Sequence, residues 1–66
     1  MDSLEKVILG IITKAHAPLE TKEVQSKFSK VSRAKILYRL HDLRGERIIR
    51  GKHVGSGKGV WIWWKR

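Results

Sequence analysis

The chain has 66 residues, 41% of them hydrophobic, with no cysteine and a formal net charge of +9. A chain this short buries only about 60% of the surface its unfolded form exposes and supports one core, so residues 1–66 read as a single domain. The lack of cysteine excludes a disulfide scaffold and thiolate metal sites and fits a reducing compartment, and the hydrophobic content excludes a disordered tail.

The charge is unevenly placed. Residues 1–20 hold two lysines against Asp2, Glu5 and Glu20, a balance of −1, whereas residues 21–66 hold thirteen Lys or Arg against three acids, a balance of +10. The first segment reads as scaffold. The remainder reads as a surface for polyanions, because a basic face attracts phosphate backbones through steering and counterion release. "MDSLEKVILGIITKAHAP" carries acids in its first turn and lacks the basic start of a secretory signal, and no segment is long enough to span a bilayer. A cytoplasmic location is expected, on the nucleoid or in a nucleus according to the source.

Asp2, with Glu5 three residues later, has the spacing of a capping box, and Leu4, Val7, Ile8, Ile11 and Ala15 recur at helical period. Leu9 points away from that stripe and Ile12 sits at its edge; they are either tolerated surface apolars or a protein contact. Pro18 ends this first helix and leaves Leu19 extended. Thr21 is placed to cap a second, short helix in which Val24 and Phe28 form an i, i+4 pair. After the turn "SKVS", Ser32 caps a third helix with Ile36, Leu37, Leu40 and Leu43 on one stripe, and Gly45 offers its stop.

The last third changes period. "RIIRGKHV" and "VWIWWKR" are β-branched and aromatic, and "GSGKG" between them supplies the backbone freedom of a hairpin tip, so the segment reads as two antiparallel strands. A period of two sets Val60, Ile62 and Trp64 on one face and Trp61, Trp63 and Lys65 on the other. Trp61 and Trp63 are assigned to the core, with the opposite phasing left open because so short a stretch fixes register poorly. Trp64 is left outside, against the first helix, a nucleic acid or a second copy.

With these elements in order, the chain resembles the winged helix-turn-helix family. The resemblance rests on Thr21–Phe28 as positioning helix, "VSRAKILYRLHDLRGERIIRG" as recognition helix and first strand, and "GSGKG" with "VWIWW" as wing and return strand. It implies an α+β fold of three helices with a C-terminal two-stranded β-hairpin. One departure is visible: the family usually has glycine just before the apolar pair that opens the strand, and here Arg47 stands there.

The resemblance further implies double-stranded DNA as partner and a role as a small transcriptional regulator, with helix 32–44 in the major groove and wing 54–59 on the backbone or minor groove. On the third helix Ala34, Lys35, Tyr38, Arg39 and Asp42 are outward, with Arg33 and His41 at the edges. Ser32, Arg33, Lys35, Tyr38 and Arg39 are the candidate contacts, and Asp42 is expected to pair with Arg39. Lys52, His53, Ser56 and Lys58 are the wing candidates, and Lys22, Lys27 and Lys30 the backbone clamps. Against these stand plainer readings: a solvated basic helix face and a glycine hairpin with an incidental lysine.

Other readings of the same residues remain. A winged helix can serve as a protein-binding adaptor, for which Leu9, Ile12 and Trp64 are the candidate interface. A homodimer or cooperative assembly is compatible with the chain, although no long dimerisation helix is present. The winged helices that bind Z-form duplexes carry a tyrosine and a tryptophan as Tyr38 and Trp61 do here, but also an asparagine where Ala34 stands and prolines that this wing lacks. An enzyme is not expected. His16, His41 and His53 have no metal-ligand spacing, no nucleophile lies in a recognisable motif, and no catalytic residue, metal, cofactor or small-molecule ligand is assigned.

Overall fold

The computed structural model describes residues 1–66. The elements are α1 (Ser3–Lys14), β1 (Leu19–Glu20), α2 (Thr21–Gln25), α3 (Arg33–Gly45), β2 (Ile49–Val54) and β3 (Val60–Lys65). The fold is α+β, and its antiparallel sheet has three strands in the order β1-β3-β2, not the two of a lone hairpin. The added strand is β1, in which Leu19 pairs with Trp63 and Glu20 with Ile62. Two residues are too few to carry a period of two, so only the partner across the sheet reveals this strand.

The capping box of α1 forms as its spacing predicts: Asp2 Oδ1 accepts from the Glu5 amide at 2.8 Å, and Glu5 Oε1 accepts from the Asp2 amide at 3.3 Å. The buried stripe is rotated from the expected one. Ile8 and Ile12 are core residues with Leu4 and Leu9 half-buried against them, whereas Val7 is 52% exposed. The reason lies outside the helix: α1 rests on both α3 and β3, so its inward arc is centred between two surfaces. Ile12, 2% exposed, is therefore unavailable to a partner, and Leu9 covers the core.

Thr21 does not cap α2. Glu20 occupies the cap position, with its amide donating to Glu23 Oε1 at 2.9 Å, and Thr21 is the first helical residue. The Thr21 hydroxyl is buried and accepts from Trp63 Nε1 at 2.9 Å. An indole N–H in a dry core needs an acceptor, and threonine supplies it from just beyond β1, 42 residues away in the chain. The helix closes at Gln25 and continues as a looser turn, with the Lys27 and Phe28 amides donating to the Val24 and Gln25 carbonyls. Val24 and Phe28 thus leave one regular helix, although both reach the core.

In α3 the Ser32 hydroxyl accepts from the Lys35 amide at 3.2 Å, and Ile36, Leu40 and Leu43 are fully buried. Gly45 is not the stop. The helix runs through it, Glu46 is the C-terminal cap, and the reversal occurs at Arg47, with φ 62°. The Arg47 amide donates to the Arg44 carbonyl at 2.9 Å and the Ile48 amide to the Leu43 carbonyl at 3.0 Å. These are the two bonds of a Schellman ending, with arginine in the left-handed position that glycine fills more easily.

The β2–β3 register pairs Gly51 with Trp63 and Arg50 with Trp64. The alternation therefore turns Ile49, Gly51 and His53 inward with Trp61 and Trp63, and Arg50, Lys52 and Val54 outward with Trp64. Trp63 is 0% exposed, Trp61 is half-buried against the core, and Trp64 is half-buried on the other face, as the period of two predicts. Gly51 is needed beneath the Trp63 ring, because a Cβ there would lie 2.5 Å from its Cε3 and Cζ3 atoms. At the tip Gly55, Gly57 and Gly59 all have positive φ.

Candidate nucleic-acid interface

Packing of Ile36, Leu40 and Leu43 against the core turns the opposite face of α3 to solvent. Arg33, Ala34, Lys35, Tyr38 and Asp42 are exposed there, Tyr38 to 70%. At the start of this helix the Ser32 hydroxyl satisfies only the Lys35 amide. The first amides of an α-helix have no intrahelical acceptor, so those of Arg33 and Ala34 point outward at its positive end. A cationic, donor-rich helix start with a tyrosine one turn on can hold a phosphate and lay a ring against a groove wall.

Arg39 stands apart from this set. It pairs not with Asp42 but with Asp2, Nε donating to Oδ2 at 2.8 Å, and is half-buried between α3 and the start of α1. The Asp2 carboxylate is already oriented by the Glu5 amide, which makes it a fixed acceptor. That hydrogen bond first, and then the Arg39 guanidinium, hold the Asp2 carboxyl below the ordinary range for aspartate. Arg39 is thus a strut between helices, with only part of its fork free, while Asp42 remains exposed without an ion pair.

On the other flank Lys22 and Arg33 line a small cleft with Glu20, Thr21, Val60 and Trp61. Trp61 is held firmly. It stacks on Trp63 at 5.3 Å between centroids, receives the His41 ring edge-on at 4.9 Å, and has the Arg44 guanidinium 5.2 Å from its centroid. His41, an edge residue by helical phase, is thereby an aromatic spacer between α3 and the sheet, also meeting Trp63 at 5.1 Å.

The remaining expected contacts separate. Ser56 and Lys58 are exposed at the hairpin tip, where the Lys58 carbonyl lies 3.3 Å from His53 Nε2. His53 packs towards Trp61, with the ring centroids 5.8 Å apart, and so braces the tip from the inner side. Lys52 is on the opposite face, away from the tip residues it was grouped with. Among the clamps, Lys22 adjoins Arg33, Lys30 is exposed in the turn before α3, and Lys27 borders a different cleft beside His16 and Pro18 at the end of α1.

Sequence reasoning missed the densest charge. Arg44, Arg47, Arg50, Lys52 and Arg66 line one groove of about 610 Å³ with Trp64, at the C-terminal end of α3 and along β2. Lys52 was expected as a wing contact and Arg47 stood out only as a departure from glycine; the other three carried no signal beyond the +10 balance of the basic segment. Arg44, Arg47 and Arg50 lie on a helix, a left-handed turn and a strand, so no single periodicity collects them.

No three His, Asp or Glu side chains converge as metal ligands, and no helix is long and apolar enough to cross a membrane. Compared with models of known protein families, with curated proteins and with solved structures, the chain matches none.

Proposed function

We propose that the protein is a winged helix-turn-helix domain that binds double-stranded DNA as a small transcriptional regulator. In this reading α3 enters the major groove by its exposed face, and the 55–59 tip follows the backbone or minor groove through Lys58. The observation that carries the reading is the solvent face of α3, where Arg33, Lys35 and Tyr38 surround a helix start with free amides while Ile36, Leu40 and Leu43 hold the opposite face in the core. The three-helix, antiparallel-sheet arrangement and the basic balance of residues 21–66 support it.

Within this reading Lys35 and Tyr38 take the base-edge and groove-wall contacts, Arg33 and Lys22 take phosphates, and Arg39 positions α3 against α1. Affinity for a short duplex, measured by fluorescence anisotropy across a salt series, is expected to fall with a slope reflecting about four to six phosphates. Lys35→Ala should relax discrimination between a selected and a random duplex by about 1–3 kcal/mol, whereas Lys58→Ala should weaken both alike. Absence of binding at low salt would sink the proposal and leave the adaptor reading, which has lost Ile12 to the core and keeps only a half-buried Leu9 and Trp64.

A further inference from the structure

We propose that the groove of Arg44, Arg47, Arg50, Lys52 and Arg66 beside Trp64 holds a second nucleic-acid backbone, so that one molecule bridges two duplex segments. The bridging rests on the duplex-binding reading above; the groove is a separate surface from the one that reading uses.

The first argument is electrostatic. Nine residues line the groove, five of them cationic and none acidic. Glu46 lies between Gly45 and Arg47 in the chain but does not line it. Like charges gathered on one surface repel and destabilise the compact state, and a polyanion laid along them removes that repulsion. Four of the five are arginines, whose planar forks match phosphate oxygens two at a time.

The second argument is preorganisation. Arg44 Nε donates to the Gly51 carbonyl at 3.4 Å while its guanidinium sits over Trp61, and Arg66 Nη1 donates to the Arg47 carbonyl at 3.3 Å. Each contact uses one of five N–H donors and restrains the fork, leaving the others for a ligand at a smaller entropic cost. Arg47 itself is held at φ 62°, where glycine would be unstrained. A long cationic residue kept in that conformation, at the rim of a cationic groove, is the pattern of strain maintained for a binding role.

The third argument concerns the occupant and its place. A groove of about 610 Å³ with only Ile49 and Trp64 as apolar lining is too large for one phosphate and too polar for an apolar helix. Cations spread along a strand edge beside a flat indole suit a phosphodiester chain with its sugars against the ring. The groove shares no residue with the Lys22–Arg33 cleft at the other end of α3, and a 13-residue helix separates its first and last residues by about 18 Å.

The test uses the full chain, a biotinylated duplex on beads and a second, fluorescent duplex in solution. Wild-type protein should retain the fluorescent duplex. Arg50→Gln with Arg66→Gln, two groove cations outside the duplex-binding set, should lower retention about tenfold or more, while affinity for a single duplex changes about threefold or less, since the primary contacts lie elsewhere. Arg47→Gly removes one cation while relaxing the backbone, so a partial loss of retention with an unchanged or raised Tm excludes unfolding as the cause. A wild type that binds one duplex but retains no second, or groove variants that retain as well as wild type, would overturn this inference alone. Groove substitutions that lower single-duplex affinity in step with retention would overturn it too, making the groove part of one continuous interface. Groove-dependent binding to phosphatidylserine vesicles without bridging would overturn the nucleic-acid occupant, and no binding to any duplex would overturn both proposals.

Discussion

Trp63 and Trp64 are adjacent in the chain and occupy opposite environments. Trp63 is fully buried, stacked on Trp61, seated over Gly51 and hydrogen-bonded to Thr21. Trp64 is half-buried on the outer face, beside Arg50 and Lys52 on one side and near Ala15 and Pro18 on the other. One side of the hairpin is thus a set of mutually dependent contacts that completes a small core, and the other is a row of independent side chains. Stability should be sensitive to single changes on the first side, and ligand binding to changes on the second.

The sharpest way to break this contrast is to remove each ring in turn. Trp63→Ala is expected to cost about 3–5 kcal/mol and, in a domain of this size, to abolish a cooperative thermal transition followed by circular dichroism. Trp64→Ala is expected to cost about 1 kcal/mol or less. Equal losses would mean that the two faces are not energetically distinct.

Two smaller changes address what holds the inner ring. Gly51→Ala places a methyl group into the Trp63 ring, and Thr21→Val leaves its buried N–H without an acceptor; each should cost about 1–3 kcal/mol in urea unfolding. Arg50→Ala, one residue from Gly51 but outward, is the control and should leave the midpoint nearly unchanged.

At the end of α3 the expected sign reverses. Arg47→Gly relieves a left-handed arginine and should stabilise the fold by about 0.5–1 kcal/mol, net of the larger unfolded-state entropy of glycine, raising Tm by a few degrees. A loss of stability would show that the arginine side chain outweighs the backbone strain.

The smallest effect is expected at Asp2. Its carboxyl is harder to protonate in the folded state than in the unfolded one, so its contribution is complete above the ordinary aspartate pKa of about 3.9 and is lost as pH falls through the lower folded value. Asp2→Asn keeps a good cap but removes the charge facing Arg39. The variant should therefore differ slightly from wild type at neutral pH and converge with it in strong acid. Parallel stability curves at all pH values would remove Asp2 from that titration.

Much of this architecture is legible in the chain. The Asp2–Glu5 and Ser32 caps, the Ile36–Leu40–Leu43 stripe and the alternation that sets Trp63 and Trp64 on opposite faces are local patterns, each set by residues within a few positions of one another. The candidate site was legible in part. The exposure of Lys35 and Tyr38 follows from helical phase, whereas the pairing of Arg39 does not, because its partner is 37 residues away at the cap of α1 and nothing near Arg39 in sequence announces Asp2.

By itself, then, the sequence determined three helices, a glycine-tipped hairpin, the inward stripe of α3 and the split of the tryptophans between two strand faces, since helical and strand periods are written in local order. Tertiary structure alone decided the pairing of β1 with β3, the rotation of α1 that buries Ile12 and frees Val7, and the turn of Thr21 from cap to core acceptor. It also gathered five cations around Trp64. Each of these depends on which distant segment lies alongside, and that is settled by the simultaneous burial of all the apolar faces in one small core.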